Sequence, residues 1–352
     1  MTEERAFTIN GRSIGSDFPP YIIAELSANH CGELRQAIGL IEAAAAAGAD
    51  AVKLQHYKPE TMTVQSERPE FRITGGTLWD GQTLFDLYGQ AMTPWEWTDE
   101  LIACAEKVGI AIFSTPFDAT AVEFLEARHP VAYKVASFEI TDLPLIRLVA
   151  SKMRPVILST GMASIAEIDA AVKTVTSTGN RELAILRCNS SYPASPKEMD
   201  LATIAQMSAI WSVPIGLSDH TLGATSATVA CALGASLFEK HLTLSRENGS
   251  ADAAFSCEPD ELKHYVTAVR TAHDCVGGVR FGPVAGETAS LAFRRSIRAI
   301  RTIEPGEKFT EENVQPRRPA GGVEPAAMDQ LVGGVAKRRI EAGEPIVRSD
   351  LG

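Results

Sequence analysis

Two short stretches of this chain, Gly216-Leu217-Ser218-Asp219-His220 and Phe238-Glu239-Lys240-His241, each end an apolar run in a histidine. If the runs are neighbouring buried strands, His220 and His241 are aimed at one point. Two converging imidazoles suit a divalent cation, and with open positions for water and a substrate oxygen they suit Lewis-acid chemistry. The same rings could be satisfied interior groups, because no HxH or HExxH spacing accompanies them. Lys53 and Lys134 also follow apolar runs, and a lysine placed there needs an anion. That anion is either Glu25, Asp219 or Glu239, or the phosphate or carboxylate of a substrate. Thr115, Ser137, Ser159, Ser190 and Ser218 recur at the same relative place and would add neutral donors. Taken singly, each such serine could be a helix N-cap, and Ser159-Thr160-Gly161 ahead of a helix at 164 fits that reading. Glu25 and Asp252 are solvated or capping carboxylates, or groups that orient hydroxyls and activate water. The pair Trp95 and Trp97 reads as helix packing. Arg294-Arg295 and Arg317-Arg318 read as a solvated face or salt bridges.

The elements that would position these residues alternate regularly. Apolar runs expected to be strands fall at 21–26, 51–54, 110–113, 132–135, 156–158, 183–186, 213–217 and 236–239. Helical patterns fall between and after them at 33–47, 95–108, 118–128, 142–152, 164–178, 200–211, 223–233 and 259–276. Gly48, Gly109 and Gly234 punctuate helix ends, and Pro94, Pro144 and Pro259 sit at helix starts. Eight such units argue for an α/β fold of the (β/α)8 barrel type. An open doubly wound sheet is the alternative, but the first strand ends Glu25-Leu26-Ser27-Ala28-Asn29-His30, with no Gly-rich phosphate loop. In a barrel the strand C-termini carry function, and every one of the eight ends in polar residues. Around Asn10-Gly11 a two-residue hairpin is expected over 6–15, able to cap one barrel end. The insertion at 57–93, on the same face, is placed to carry specificity. Residues 279–292 read as a Gly, Ala and Pro-rich linker after a barrel domain at 1–278. The remainder, 293–352, repeats itself: Ile303-Glu304-Pro305-Gly306-Glu307 is echoed by Ile340-Glu341-Ala342-Gly343-Glu344, each followed by an apolar residue, Phe309 or Ile346. This predicts a small β-rich domain with internal pseudo-symmetry.

Composition narrows the classes. The 352 residues are 45% hydrophobic with a net charge of −11, which supports a large core and disfavours nucleic acid as a partner. The six cysteines are scattered without a CxxC pair, as expected of free thiols in a reducing compartment. The acidic N-terminus lacks a signal-peptide core, and no apolar run approaches the roughly 18 residues of a membrane span. The expectation is a cytoplasmic protein with no membrane contact.

The motifs, in order, resemble the sialic-acid (nonulosonic acid) synthase family. The matching stretches are Ala24-Glu25-Leu26-Ser27-Ala28-Asn29-His30, Val52-Lys53-Leu54-Gln55, Phe113-Ser114-Thr115-Pro116-Phe117, Tyr133-Lys134-Val135-Ala136-Ser137, Leu158-Ser159-Thr160-Gly161-Met162, Ser191-Tyr192-Pro193, Leu217-Ser218-Asp219-His220-Thr221 and Glu239-Lys240-His241. The last 60 or so residues resemble the antifreeze-like (SAF) module, including Arg317-Arg318-Pro319. Thr77 to Leu84, Tyr88, Thr93 to Trp97 and Ser137 to Asp142 look like the pseudaminic acid synthase branch.

The resemblance implies condensation of phosphoenolpyruvate with 2,4-diacetamido-2,4,6-trideoxy-altropyranose. It implies a divalent metal on His220 and His241, typically manganese, with magnesium or cobalt as alternatives. Lys53, Thr115, Lys134, Ser137, Ser159, Ser190 and Ser218 would surround phosphoenolpyruvate. Glu25, Gln55, Tyr192, Asp252 and Phe293 would face the sugar, with Glu25 steering water or a proton. A domain-swapped homodimer is implied, in which Arg318 of the partner subunit reaches the sugar. Cys31, Ser190 and Ala251 depart from residues common in the family, and Ala251 bears on the setting of the Asp252 loop. Rival readings are synthesis of N-acetylneuraminate or legionaminate, a non-catalytic carbohydrate-binding protein, and an aldolase with Lys134 as Schiff-base lysine.

Overall fold

The computed structural model describes residues 6–74, 76 and 79–351. Gly75, Thr77 and Leu78, which belong to the branch-like insertion, lie outside that set. The chain divides into two compact units, Met1–Gly277 and Gly278–Gly352.

The first unit begins with the hairpin β1 (Phe7–Ile9) and β2 (Arg12–Ile14), paired antiparallel around Asn10-Gly11. Eight parallel strands follow and close into a barrel: β3 (Tyr21–Glu25), β4 (Ala51–His56), β5 (Ala111–Pro116), β6 (Tyr133–Val135), β7 (Val156–Ser159), β8 (Leu183–Cys188), β9 (Ile215–Asp219) and β10 (Leu237–His241). The expected α/β barrel is therefore present. Several strands run on past the apolar residues that revealed them, so Gln55, Thr115, Cys188 and His241 are themselves strand residues. At the other end β9 starts at Ile215 rather than 213, because Pro214 has no N–H to give to a ladder.

The helices are α1 (Leu34–Ala47), α2 (Pro59–Met62), α3 (Leu84–Ala91), α4 (Thr98–Val108), α5 (Ala119–Glu126), α6 (Leu143–Ser151), α7 (Ile165–Ser177), α8 (Thr203–Trp211), α9 (Thr225–Ala232) and α10 (Pro259–Val276). Among them α2 and α3 fold within the 57–93 insertion, and no periodicity announced them. Trp95–Trp97 is a 3-10 turn rather than the start of α4. Trp95 packs on Phe124 at 4.5 Å between ring centroids, and Trp97 sets its edge against His30, so both pack as expected. Ser164, not Ser159, caps α7, bonding the Glu167 N–H in a reciprocal box. No helix of the described residues is long and apolar enough to cross a membrane.

Strand alternation separates two cores. One set of side chains, including Ile22, Val52, Leu158 and Phe238, packs under the helices. The other fills the barrel floor, where Ile23, Phe113, Ile157, Leu186 and Leu237 meet Phe7, Ile9 and Ile14 of the hairpin. The hairpin thus plugs the N-terminal end, as predicted. Above that floor the interior positions turn polar: Glu25, Lys53, Thr115, Lys134, Ser159, Ser218 and Glu239 are all buried. Apolar filling below leaves this layer at the C-terminal mouth.

The second unit holds β11 (Ser296–Ala299) antiparallel to β12 (Val314–Arg317) and one short helix, α11 (Met328–Leu331). Its internal repeat is structural. Ile303 and Ile340, equivalent in the two copies, exchange both backbone hydrogen bonds at 2.9 Å, and Phe309 and Ile346 share one small core with them.

Candidate active site

Four buried charges occupy the barrel mouth. Lys53 ion-pairs with Glu25 and lies 3.7 Å from Glu239, while Lys134 donates to Glu239 at 2.7 Å. Glu239 also accepts from Ser218 at 3.3 Å, and Lys53 donates to Thr115 at 3.1 Å. Burial alone would raise the Glu239 carboxyl, but the two lysines hold it down at about 2. Burial raises the Glu25 carboxyl against the pull of Lys53. For Lys53 the two carboxylates outweigh burial and raise it, whereas burial wins at Lys134 and lowers it. Two cations and two anions compensate one another in a dry site. Each ammonium has three donors, so each can keep a carboxylate and still meet an incoming anion. Glu239 was weighed only as an ion-pair partner in the sequence, yet it holds both lysines together.

Beside the lysines lies a group of hydroxyls. Ser137 Oγ accepts from the Gly161 N–H at 3.0 Å. A Cβ on Gly161 would collide with Ser190 Oγ and sit 2.9 Å from Ser137 Oγ, so only glycine lets the two serines approach. Ser159 Oγ is buried with no partner at all. An orphaned buried hydroxyl is costly unless something completes it, and Ser159, which does not cap α7, leaves its hydroxyl uncommitted in the mouth.

The histidines do converge, with ring centroids 5.4 Å apart. Their tautomers differ in what fixes them. His220 Nδ1 donates to the Asn189 carbonyl at 2.7 Å, which leaves the lone pair on Nε2, the arrangement that orients a metal-ligating imidazole. Burial opposes charge on His220, but Cys188 and that carbonyl raise its affinity for a proton above the usual value. His241 is buried, its Nδ1 has no hydrogen bond, and burial together with His220 keeps it neutral. His56 is a useful contrast: both of its nitrogens are bonded, to Ser114 at 2.7 Å and Thr98 at 2.8 Å, and it is the satisfied interior histidine that the other pair is not. No group of three or more His, Cys, Asp or Glu able to hold a metal is present among the described residues. Two imidazoles with remaining positions open fit a catalytic rather than a structural cation.

Asp219, which follows the outward alternation, is not in the mouth. It accepts from the Thr221 N–H and hydroxyl at 2.9 and 2.7 Å and from Lys240 at 3.2 Å, and Lys240 also bonds the Thr221 carbonyl. This buried pair ties the ends of β9 and β10 together behind the two histidines. Lys240→Met is expected to cost about 3–5 kcal/mol of stability by leaving Asp219 uncompensated. Asp219→Asn in the same chain should recover part of it, as read by urea denaturation.

A wall of rings closes one side. Tyr192 lies 4.3 Å from His220 and 4.9 Å from Phe255, and Phe255 lies 5.0 Å from His241. Trp79, from the insertion, meets Tyr192 at 6.2 Å and donates to the Ala251 carbonyl at 3.0 Å. Next to it, Asp252 Oδ2 is 3.9 Å from His241 Nδ1, so this carboxylate is neither solvated nor a cap. Gln55 donates to Glu25 at 3.4 Å. Glu25, Lys53, Gln55, Thr115, Lys134, Ser137, Ser159, Ser190, Tyr192, Ser218, His220, His241 and Asp252 thus all belong to the barrel mouth. Phe293 and Arg318 are exposed residues of the second unit.

Sequence reasoning did not single out Trp79, Phe255 or Glu139 as site residues. Glu139, two residues beyond Ser137, has a buried Oε2 without a partner, and burial pushes its carboxyl up to about 7. A group raised in the fold contributes stability that is complete below its unfolded value near 4.5 and is lost as pH rises through 7. Glu139→Gln should therefore melt about 5 °C above the parent at pH 8 and no higher near pH 4, by calorimetry.

Comparison with known proteins places this architecture. The NeuB family model matches residues 40–280, and the SAF domain model matches 294–352. The chain belongs to the NeuB family. Among its relatives, the pseudaminic acid synthase of Campylobacter jejuni is 40% identical over 96% of this chain and 98% of that one. The pseudaminic acid synthase of Helicobacter pylori is 38% identical over 95% and 98%. The solved N-acetylneuraminic acid synthetase of Leptospira borgpetersenii superposes with a TM-score of 0.74 at 30% identity, covering 83% of this chain and 97% of that one. The family resemblance read from the motifs, and the SAF domain at the C-terminus, therefore hold for this NeuB-family chain.

Proposed function

We propose that the chain condenses phosphoenolpyruvate with 2,4-diacetamido-2,4,6-trideoxy-altropyranose and water, giving pseudaminic acid and phosphate. The observation that carries the chemistry is the juxtaposition, in one barrel mouth, of the Lys53–Glu239–Lys134 cluster with an orphaned hydroxyl and two converging imidazoles, one of them, His241, with an unpartnered nitrogen. The branch rests on full-length similarity near 40% to pseudaminic acid synthases; N-acetylneuraminate and legionaminate synthesis are the sister alternatives.

Lys53, Lys134 and the hydroxyls of Thr115, Ser137, Ser159, Ser190 and Ser218 bind the phosphate and carboxylate of phosphoenolpyruvate and offset their mutual repulsion. Tyr192, Gln55, Asp252 and Glu25 orient the open-chain sugar with its aldehyde carbon against C3 of the enol. A divalent cation, manganese by family resemblance, held by His220 and His241, would supply Lewis acidity at the aldehyde oxygen. C3 forms a bond to the aldehyde carbon, whose oxygen gains a proton. Water adds at C2, losing a proton for which Glu25 is placed as acceptor. The bond from C2 to the bridging oxygen of the phosphate then breaks, phosphate leaves with that oxygen and takes up the proton of the new C2 hydroxyl, and C2 becomes the ketone. By the family resemblance Phe293 faces the sugar, Arg318 of the partner subunit reaches it in a homodimer, and the reaction is cytoplasmic.

Turnover in ¹⁸O-water tests this. The label should appear at C2 of the sugar acid and be absent from phosphate. Label in phosphate would overturn C–O cleavage. No consumption of phosphoenolpyruvate would favour a carbohydrate-binding protein, and borohydride trapping of pyruvate on Lys134 would favour an aldolase.

A further inference from the structure

Ser27 lies where β3 opens into its loop, in a turn closed by the Asn29 N–H to the Leu26 carbonyl at 3.0 Å. Its φ is +43°, in the left-handed region where a side chain is strained and glycine is the ordinary choice. Strain of this kind persists where the side chain is needed. Here the hydroxyl is fully used. Gln55 Nε2 donates to Ser27 Oγ at 3.0 Å, and Ser27 Oγ donates to Asp252 Oδ2. The Ser27 N–H adds a bond to Glu25 Oε1 at 2.7 Å. Three residues that converge on the mouth from β3, β4 and the loop after β10 are thus joined through one side chain.

The chain of bonds has a direction. A carboxylate only accepts, so the Ser27 proton must point to Asp252, and its lone pair must then receive the Gln55 amide. That fixes which way the Gln55 amide faces: its N–H group is spent on Ser27 and Glu25, and its carbonyl oxygen takes part in none of these bonds. A carbonyl oriented this way can accept from the N–H of an acetamido group but offers nothing to an anion.

We propose that Ser27 is a positioning residue for the sugar acceptor, held in a strained backbone so that its hydroxyl orients Gln55 and Asp252. The proposal rests on the reading of this mouth as the acetamido-sugar site. It separates sugar binding, organised by Ser27, from phosphoenolpyruvate binding, organised by Lys53 and Lys134.

Two variants of the full chain test it. Ser27→Gly and Ser27→Ala both lack the hydroxyl, but only glycine relieves the backbone. Both should raise KM for the sugar about tenfold while leaving KM for phosphoenolpyruvate within about twofold. Ser27→Gly should also melt above Ser27→Ala by about 2 °C. An unchanged sugar KM in Ser27→Gly, or equal rises in both KM values, would overturn the positioning role. An alanine variant melting at or above the glycine variant would overturn the strain. If the wild-type chain releases no phosphate with any acetamido sugar, the reading of the site fails instead, while the melting order still decides the strain.

Discussion

Replacing His241 with alanine is expected to abolish manganese-dependent turnover, by about 10³-fold or more, while the circular dichroism spectrum stays that of the parent. The ring is buried and neutral with an unpartnered nitrogen, so it contributes little to the fold through hydrogen bonding, and removing it leaves space rather than a broken network. If the two histidines hold the cation as proposed, losing one of them should also lower manganese affinity at least tenfold, within the range that even indirect ligand perturbations reach. Electron paramagnetic resonance of free manganese reads that directly. His220→Ala should behave the same way, with an added cost because Asn189 loses the donor to its carbonyl. Full activity in the His241 variant would remove the metal from the account.

The second large effect concerns Lys53. Lys53→Met should lower kcat/KM for phosphoenolpyruvate by about 10²–10³-fold, the usual cost of removing a preorganised charge that faces a developing anion. Stability should fall less than charge burial suggests. The Glu25 carboxyl is already raised by burial, so it takes up a proton when its cation goes, and Glu239 keeps Lys134 at 2.7 Å. The double variant Lys53→Met with Glu25→Gln separates two roles when phosphoenolpyruvate binding is read instead of turnover, since Glu25 has its own part in the reaction. If Lys53 serves only to neutralise Glu25, the double variant binds phosphoenolpyruvate as the parent does. The ligand role predicts no recovery of affinity, because the anion still lacks its cation. Titration calorimetry on the three chains decides between them.

The barrel was legible because eight apolar runs alternate with helical periodicity, and because Gly48, Gly109 and Gly234 mark the turns back to strands. Its functional end followed from the same pattern, since Lys53 and Lys134 come near the ends of two of those runs and His220 and His241 just beyond two others. What the sequence hid was pairing at a distance. Ser27 and Asp252 meet across 225 positions, and nothing local in either stretch predicts it. Which anion each lysine takes was equally hidden, because Glu25, Asp219 and Glu239 all lie at or near strand C-termini. Alternation resolves it: Glu25 and Glu239 face the barrel interior, while Asp219 faces the helices and pairs with Lys240. Ser159 looked like a cap because a helix follows it, but Ser164 lies nearer and has Glu167 three residues on. In the insertion the helices α2 and α3 are too short for a periodic signal, and Trp79 gained its role only once the Ala251 carbonyl was seen beneath it.

The most direct measurement is phosphate release from phosphoenolpyruvate with manganese, across a panel of acceptors. The account predicts that the altro-configured 2,4-diacetamido-2,4,6-trideoxy sugar is turned over at least about 100-fold more efficiently than N-acetylmannosamine or the legionaminate precursor. Equal or greater efficiency with either of those, or no phosphate from any of them, would contradict it.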